Sequence, residues 1–245
     1  MKDIITLSGD IGGGKSSVAR ILSASLGYPI VSAGGMQREI ATSMGLTTLQ
    51  LNEQSAKDRS VDDRIDAYTK KLGETRDQIV VDSRLAWHFI PVAFKVFLTV
   101  DALVGAQRVF DASRAEEKNH SLPETLENNQ LRRQLESSRW RTLYGIEMRD
   151  YRNYDLVVDT SYAPPEVVAQ TIERSFHAKR AGQTTAQCWM SPKRLLDAPV
   201  GASAAVDGAV SIRATDGSFV IASGRTLVET ALRDGVPLIP AALVA

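Results

Sequence analysis

From the N-terminus to about residue 180, short apolar runs alternate with stretches whose apolar residues recur every three or four positions. The runs predict strands over residues 4–7, 29–32, 78–81, 94–99 and 155–158. The helical spacing predicts helices over 16–25, 36–44, 48–57, 61–72, 102–112 and 122–143, with Leu122, Leu126, Leu131 and Leu135 as part of an apolar stripe on the last of these. Pro164-Pro165 suits a first helical turn, and a helix is expected to run from there through 166–179. Strand and helix in alternation point to an α/β fold, a five-stranded parallel sheet flanked by helices.

Beyond residue 180 the pattern changes. Residues 181–188 begin small and polar (Ala181-Gly182-Gln183-Thr184-Thr185) and read as a linker between a domain of residues 1–180 and an extension of residues 189–245. Within the extension, 210–213 and 216–225 read as two short strands around a turn. Thr226 then opens a helix that closes at Asp234-Gly235, and Val236-Pro237-Leu238-Ile239-Pro240 follows. A piece this short is marginal alone, so it is expected to pack on the main body or on a second subunit, as a structural appendage.

The first strand runs into Ser8-Gly9-Asp10-Ile11-Gly12-Gly13-Gly14-Lys15-Ser16, which matches G-x-x-x-x-G-K-[ST] at Gly9, Gly14, Lys15 and Ser16. Glycines let backbone N–H groups turn inward around phosphate oxygens, and the helix that follows adds the positive end of its dipole. Lys15 is expected at the β- and γ-phosphates and the Ser16 hydroxyl on Mg²⁺, with Ser17 completing the stretch. Such a loop binds a nucleoside triphosphate.

Two further strand ends carry polar groups. Val31-Ser32-Ala33-Gly34-Gly35-Met36-Gln37-Arg38 sets an arginine one turn into a helix. Ile79-Val80-Val81-Asp82-Ser83-Arg84 delivers a carboxylate and a guanidinium to a strand's carboxyl end, where open α/β sheets bind ligands. Asp82 stands where an acid would hold Mg²⁺ through water. Arg38 and Arg84 suit a second phosphate, since guanidinium offers a planar fork. Each arginine alone is equally compatible with a surface ion pair. Arg108, Arg114, Arg132, Arg133, Arg139 and Arg141 lie in and around the long helical stretch, and Arg132 and Arg139, seven apart, share nearly one face. They read as a cationic lid for phosphoryl transfer, against the alternative of a solvated basic face.

Charge and composition change the picture only by exclusion. The 245 residues hold 29 basic and 29 acidic side chains, so total charge implies no nucleic-acid partner. Cys188 is the lone cysteine, which leaves no intramolecular disulfide and no cysteine-cluster metal site. No apolar run approaches the ~20 residues of a membrane span. Met1-Lys2-Asp3 leads directly into the first strand without a signal-like stretch, and a reducing cytoplasm is expected. His88, His120 and His177 show no ligand spacing and read as non-catalytic, and Trp87-His88-Phe89-Ile90-Pro91 reads as packing beside the core.

Residues 1 to about 178 resemble cytidylate kinases of the short, archaeal-type branch of P-loop nucleoside monophosphate kinases. The likeness rests on Ile5-Thr6-Leu7-Ser8-Gly9 with its loop, Val31-Ser32-Ala33-Gly34 with Arg38-Glu39-Ile40-Ala41, and Asp82-Ser83-Arg84-Leu85-Ala86. Downstream it rests on Arg139-Trp140-Arg141-Thr142-Leu143-Tyr144-Gly145-Ile146 and Tyr154-Asp155-Leu156-Val157-Val158-Asp159-Thr160-Ser161. It implies a core sheet with a monophosphate-binding insertion and a lid, ATP and Mg²⁺ as donor, and CMP or dCMP as acceptor; apart from the likeness, a monomer or homodimer with small-molecule nucleotide partners is expected. By position it implies that Arg38 and Arg84 hold the acceptor phosphate and that Arg139, helped by Arg132, stabilises the group in flight. Asp62 and Asp66 fall near the nucleoside and Ser32 near the base, with Gly34 and Gly35 lining the acceptor. Gly35 stands where relatives are often acidic, and Asp10-Ile11 where they often carry prolines. The strand–strand–helix order of the extension is similar to the second half of the ParB/sulfiredoxin-like fold.

Two alternatives stay open at this point: a kinase for a modified pyrimidine nucleotide or nucleotide-like intermediate, and a non-catalytic ATP-binding regulatory module with the extension as partner surface.

Overall fold

A computed structural model of the chain describes residues 2–46, 60–112, 121–198 and 209–244, and of residues 37, 38 and 60–62 the backbone alone. The helix expected over 48–57 and Arg114 of the arginine run lie outside the described residues. Two compact units emerge: residues 1–8 with 15–96, and residues 9–14 with 97–245.

In the first unit three parallel strands lie in the order β2 (Ile30–Ser32), β3 (Ile79–Asp82), β1 (Ile4–Gly9). Ile4 pairs with Ile79 and Ser32 with Asp82, so all three strands point their carboxyl ends the same way. β1 is buried along its whole length, as expected of a strand covered on both faces. Around it come α1 (Lys15–Leu26), α2 (Ala33–Ser43), α3 (Ser60–Thr75) and the short α4 (Ala86–Phe89). Ile4, Met36, Leu72, Ile79, Val81, Ala86, Ile90 and Ala93 form one apolar core. Trp87, Phe89 and Ile90 are buried, which bears out the packing role read for that stretch. Burial, with Lys70 and Lys95 adding to it, holds the His88 imidazole below its ordinary value.

β4 (Phe94–Thr99) ends in the second unit, whose own strand order is β4, β5 (Leu156–Asp159), β6 (Cys188–Met190), β9 (Ile239–Val244), β7 (Ser211–Thr215), β8 (Ser218–Ser223). Its helices are α5 (Ala102–Asp111), α6 (Leu122–Tyr144), α7 (Pro165–Arg180), α8 (Pro192–Asp197) and α9 (Arg225–Arg233). Phe97 meets Tyr151 and Tyr154 edge-on, and Tyr151 lies against Phe219 of β8, so the extension shares an aromatic core with β4. The polar stretch after α7 runs straight into the sheet. The Val157 N–H donates to the Gln187 carbonyl at 2.7 Å, and β6 pairs with β5 in parallel from Cys188. Small polar composition signalled a connector there, but the open edge of β5 recruits its end as strand. β9 then pairs antiparallel with β6 and parallel with β7.

α6 is capped at both ends: Ser121 accepts from the Glu124 N–H, Pro123 occupies the first turn, and Gly145 ends it in the left-handed conformation at φ 67°. The apolar stripe read on it is not a core stripe. Thr125 is the one buried residue of the helix, and Leu131 and Leu135 are 53% and 63% exposed. Their spacing is helical, but the packing that would cover them is absent from the described residues.

Candidate active site

The loop between β1 and α1 is shaped by two close backbone approaches. Gly9 has φ +149°, and a Cβ there would fall 2.3 Å from the Leu98 carbonyl oxygen. Gly12 has φ +77°, and a Cβ there would fall 2.3 Å from the Gly105 carbonyl of α5. Neither position admits a side chain. The Asp10 N–H donates to the Leu98 carbonyl at 2.9 Å, and the Gly13 N–H to the Asp10 carbonyl at 3.1 Å, which curls the loop back on itself.

Asp10 was expected among the nucleotide contacts. Its carboxylate is taken up inside the second unit. Oδ2 accepts from the Thr99 hydroxyl at 3.1 Å and the Val100 N–H at 3.2 Å, while Oδ1 accepts from Arg149 Nε at 3.2 Å and Nη2 at 2.8 Å. Burial acts to lower the Arg149 guanidinium, but Asp10 foremost and Asp216 besides raise it above its ordinary value. Arg108, read as part of the cationic run, props the same loop. Its Nη1 donates to the Gly12 carbonyl at 3.2 Å, and its Nη2 to the Thr160 carbonyl at 2.6 Å and the Ser161 carbonyl at 3.2 Å. Burial lowers its pKa, with Asp159 acting in the opposite sense.

In the first unit the structure brings two of the expected metal-site groups together. Ser16 begins α1's first turn beside Lys15, and its hydroxyl donates to Asp82 Oδ2 at 2.9 Å across the carboxyl end of β3. Ser16 is exposed, and Lys15 and Ser17 are half-buried. A hydroxyl and a carboxylate side by side are hard oxygen donors of the kind Mg²⁺ takes, and Mg²⁺ keeps several waters of its own. The residues present fit that ion. Among the described residues no cluster of three or more His, Cys, Asp or Glu side chains could hold a metal by itself.

The acceptor-side residues are partly brought together. Ser32 caps α2, accepting from the Gly35 N–H at 3.1 Å, so its hydroxyl organises the Gly34-Gly35 turn. That bond explains how the helix carrying Arg38 begins at the strand end. Arg38 lies in α2 and Asp62 in α3, with their side chains outside the described part; Asp66, also in α3, is half-buried. Arg84 is half-buried just after β3, and its carbonyl accepts from the buried Ser8 hydroxyl at 2.9 Å. In the second unit Arg132 and Arg139 are both exposed on α6, with Arg132 Nε on Glu136 Oε1 at 3.1 Å.

Sequence reasoning missed Arg149 and Arg194. Arg194 of α8 donates through Nη1 to Asp159 Oδ1 at 2.8 Å and to the Thr99 hydroxyl at 3.2 Å, and through Nη2 to the Gly217 carbonyl at 2.8 Å. No local pattern marks either arginine.

No helix among the described residues is long and apolar enough to cross a membrane. The model of the cytidylate kinase-like family matches residues 4–162. The cytidylate kinase of Natronomonas pharaonis is 37% identical over 177 residues, which is 71% of this chain and 90% of its own. That of Ignicoccus hospitalis is 35% identical over 173 residues, 70% of this chain and 97% of its own. Among solved structures, shikimate kinase from Acinetobacter baumannii in complex with shikimate superposes with a TM-score of 0.50 at 17% identity, over 74% of this chain and 96% of its own, a likeness of fold alone. With its phosphate loop in place and its family matched from β1 to the end of β5, this chain belongs to the cytidylate kinase-like family of P-loop nucleoside monophosphate kinases.

Proposed function

We propose that the protein transfers the γ-phosphoryl group of ATP, with Mg²⁺, to CMP or dCMP, giving ADP and the nucleoside diphosphate. The observation that carries the reading is the Ser16–Asp82 hydrogen bond, which sets two hard oxygen donors side by side next to the Gly9–Ser16 motif, in a chain whose relatives are named cytidylate kinases. Amides of the Gly9–Ser16 loop other than those of Asp10 and Gly13, which donate to backbone carbonyls, cradle the phosphates, and Lys15 neutralises them. Ser16 and Asp82 would hold Mg²⁺, which supplies charge stabilisation when bound.

Arg38 and Arg84 grip the acceptor's phosphate as planar forks, and Gly34, Gly35, Ser32, Asp62 and Asp66 surround the rest of the acceptor. Arg139 and Arg132 neutralise charge on the group in flight. No covalent intermediate is required, since positioning and electrostatics carry phosphoryl transfer. The domain of residues 1–180 does this work as a monomer or homodimer in the cytoplasm, with small-molecule partners only.

The test is a coupled assay with ATP and Mg²⁺ across all ribo- and deoxyribonucleoside monophosphates. CMP and dCMP should turn over fastest. Absence of turnover with every one of them would overturn the reading.

A further inference from the structure

The β7–β8 hairpin lies well beyond the family-matched residues, yet its tip reaches the phosphate loop through one side chain. Thr215 pairs with Ser218, so Asp216 and Gly217 alone make the turn. Both have positive φ, 44° and 83°, the signature of a type I′ turn that matches strand twist. This conformation presents the Asp216 carbonyl to Arg149 Nη1 in a very short hydrogen bond, and the Asp216 carboxylate adds a second at 3.2 Å. Arg149's remaining nitrogens, Nε and Nη2, both go to Asp10 Oδ1. The guanidinium is thus a plate with the hairpin on one edge and the phosphate loop on another, and the side chain is only 14% exposed.

Space at the turn is matched to that plate. A Cβ on Gly217 would fall 2.4 Å from Arg149 Cζ and 2.4 Å from Nη1, so the turn accepts the guanidinium only because residue 217 is glycine. The turn is itself gripped from the other side, where Arg194 holds the Gly217 carbonyl and the buried Asp159 together. Arg133 of α6 reaches Asp216 Oδ2 at 3.5 Å, a third and more exposed contact. On the loop side, Asp10 is the residue whose own carbonyl receives the Gly13 N–H, so moving Asp10 moves the turn that the loop makes at Gly13.

We propose that the β7–β8 turn positions the phosphate loop: Asp216 and Gly217 set Arg149, and Arg149 sets Asp10, so the C-terminal extension tunes triphosphate binding. Arg149, Asp216 and Gly217 are positioning residues, acting through Asp10. The inference rests on the reading of the loop as the ATP site, and its effect falls on the donor nucleotide and leaves the acceptor monophosphate alone.

The experiment uses the full chain in three forms: wild type, Gly217→Ala and Arg149→Lys. Hydrogen exchange of the loop amides, residues 9–14, is read without nucleotide, and ATP and CMP binding are read by calorimetry. In each variant the loop amides should exchange several-fold faster, and ATP should bind about tenfold more weakly with CMP affinity within about twofold of wild type. Lysine keeps the charge but offers no fork, so loss in Arg149→Lys reports geometry, and this variant decides the matter where Gly217→Ala does not fold. Loop exchange and ATP affinity unchanged in a folded variant would overturn the inference, as would equal weakening of ATP and CMP. If wild type binds no ATP, the loop's assignment fails, and the nucleotide-free exchange still decides whether the turn positions it.

Discussion

Arg194 donates to Asp159 at 2.8 Å, with the carboxylate fully buried and the guanidinium side chain 9% exposed. The pair joins α8 of the extension to the carboxyl end of β5. Asp159 also accepts from the Ser161 hydroxyl and the Ser191 N–H, so its oxygens are satisfied from three directions. Removing one partner strands the other in a poorly solvated site. Arg194→Met is expected to cost about 3–5 kcal/mol of stability, read from denaturant unfolding, with the Arg194→Met/Asp159→Asn double variant less destabilised than the sum of the singles.

Ser16 and Asp82 share a hydrogen bond at the place proposed for Mg²⁺. Ser16→Ala and Asp82→Asn should each raise the Mg²⁺ concentration needed for half-maximal turnover while leaving CMP binding in place. Lys15→Met should lower turnover about 100-fold or more without unfolding the chain. A Mg²⁺ titration of initial rates, with circular dichroism as the folding control, checks all three.

Gly105 sits inside α5, where alanine ordinarily favours a helix. Here its Cβ would lie 2.7 Å from the Ile11 carbonyl of the phosphate loop. Gly105→Ala should therefore weaken ATP binding by about tenfold despite the better helix former, because the loop must move to make room. Calorimetry with ATP gives the answer; unchanged affinity would show that the loop tolerates the displacement.

Cys188 is fully buried in β6, and burial pushes its thiol up to about 12. The native thiol should resist alkylation at pH 8 and react promptly once the chain is unfolded, since thiolate is the nucleophile. The sign for stability follows from a folded value above the ordinary one. The contribution is intact below the ordinary thiol value and is lost as pH rises through the folded one, a loss that Cys188→Ala should abolish.

His88 has the opposite sense. Its folded value lies below the ordinary 6.5, because burial and then Lys70 and Lys95 oppose the imidazolium. Unfolded chain binds the proton more readily, so stability should decline as pH falls below 6.5. NMR titration of the imidazole should place its midpoint below 6.5, and His88→Asn should flatten the acid side of the unfolding curve.

Much of this molecule was legible along the chain because the signals are local. Glycine spacing, the apolar run before it and the helical spacing after it are set by neighbours in sequence, and they identified Gly9–Ser16 and most of the elements through α7. The two short strands and the helix of the extension were legible for the same reason. The leucines of α6 show where that reasoning stops: their spacing marked a helix correctly, but nothing local says whether a face will be covered, and Leu131 and Leu135 are exposed.

Only the tertiary structure decided that Arg149 would meet Asp10 from 139 positions away, and that β9 would lie between β6 and β7. An arginine in isolation reads the same whether it ends in solvent or on a buried carboxylate. Its partner is chosen by sheet order and turn geometry, which bring remote residues within hydrogen-bonding range. Chemistry carried by a contiguous stretch of chain was therefore visible at once, and the support beneath it emerged only when the strands were in place.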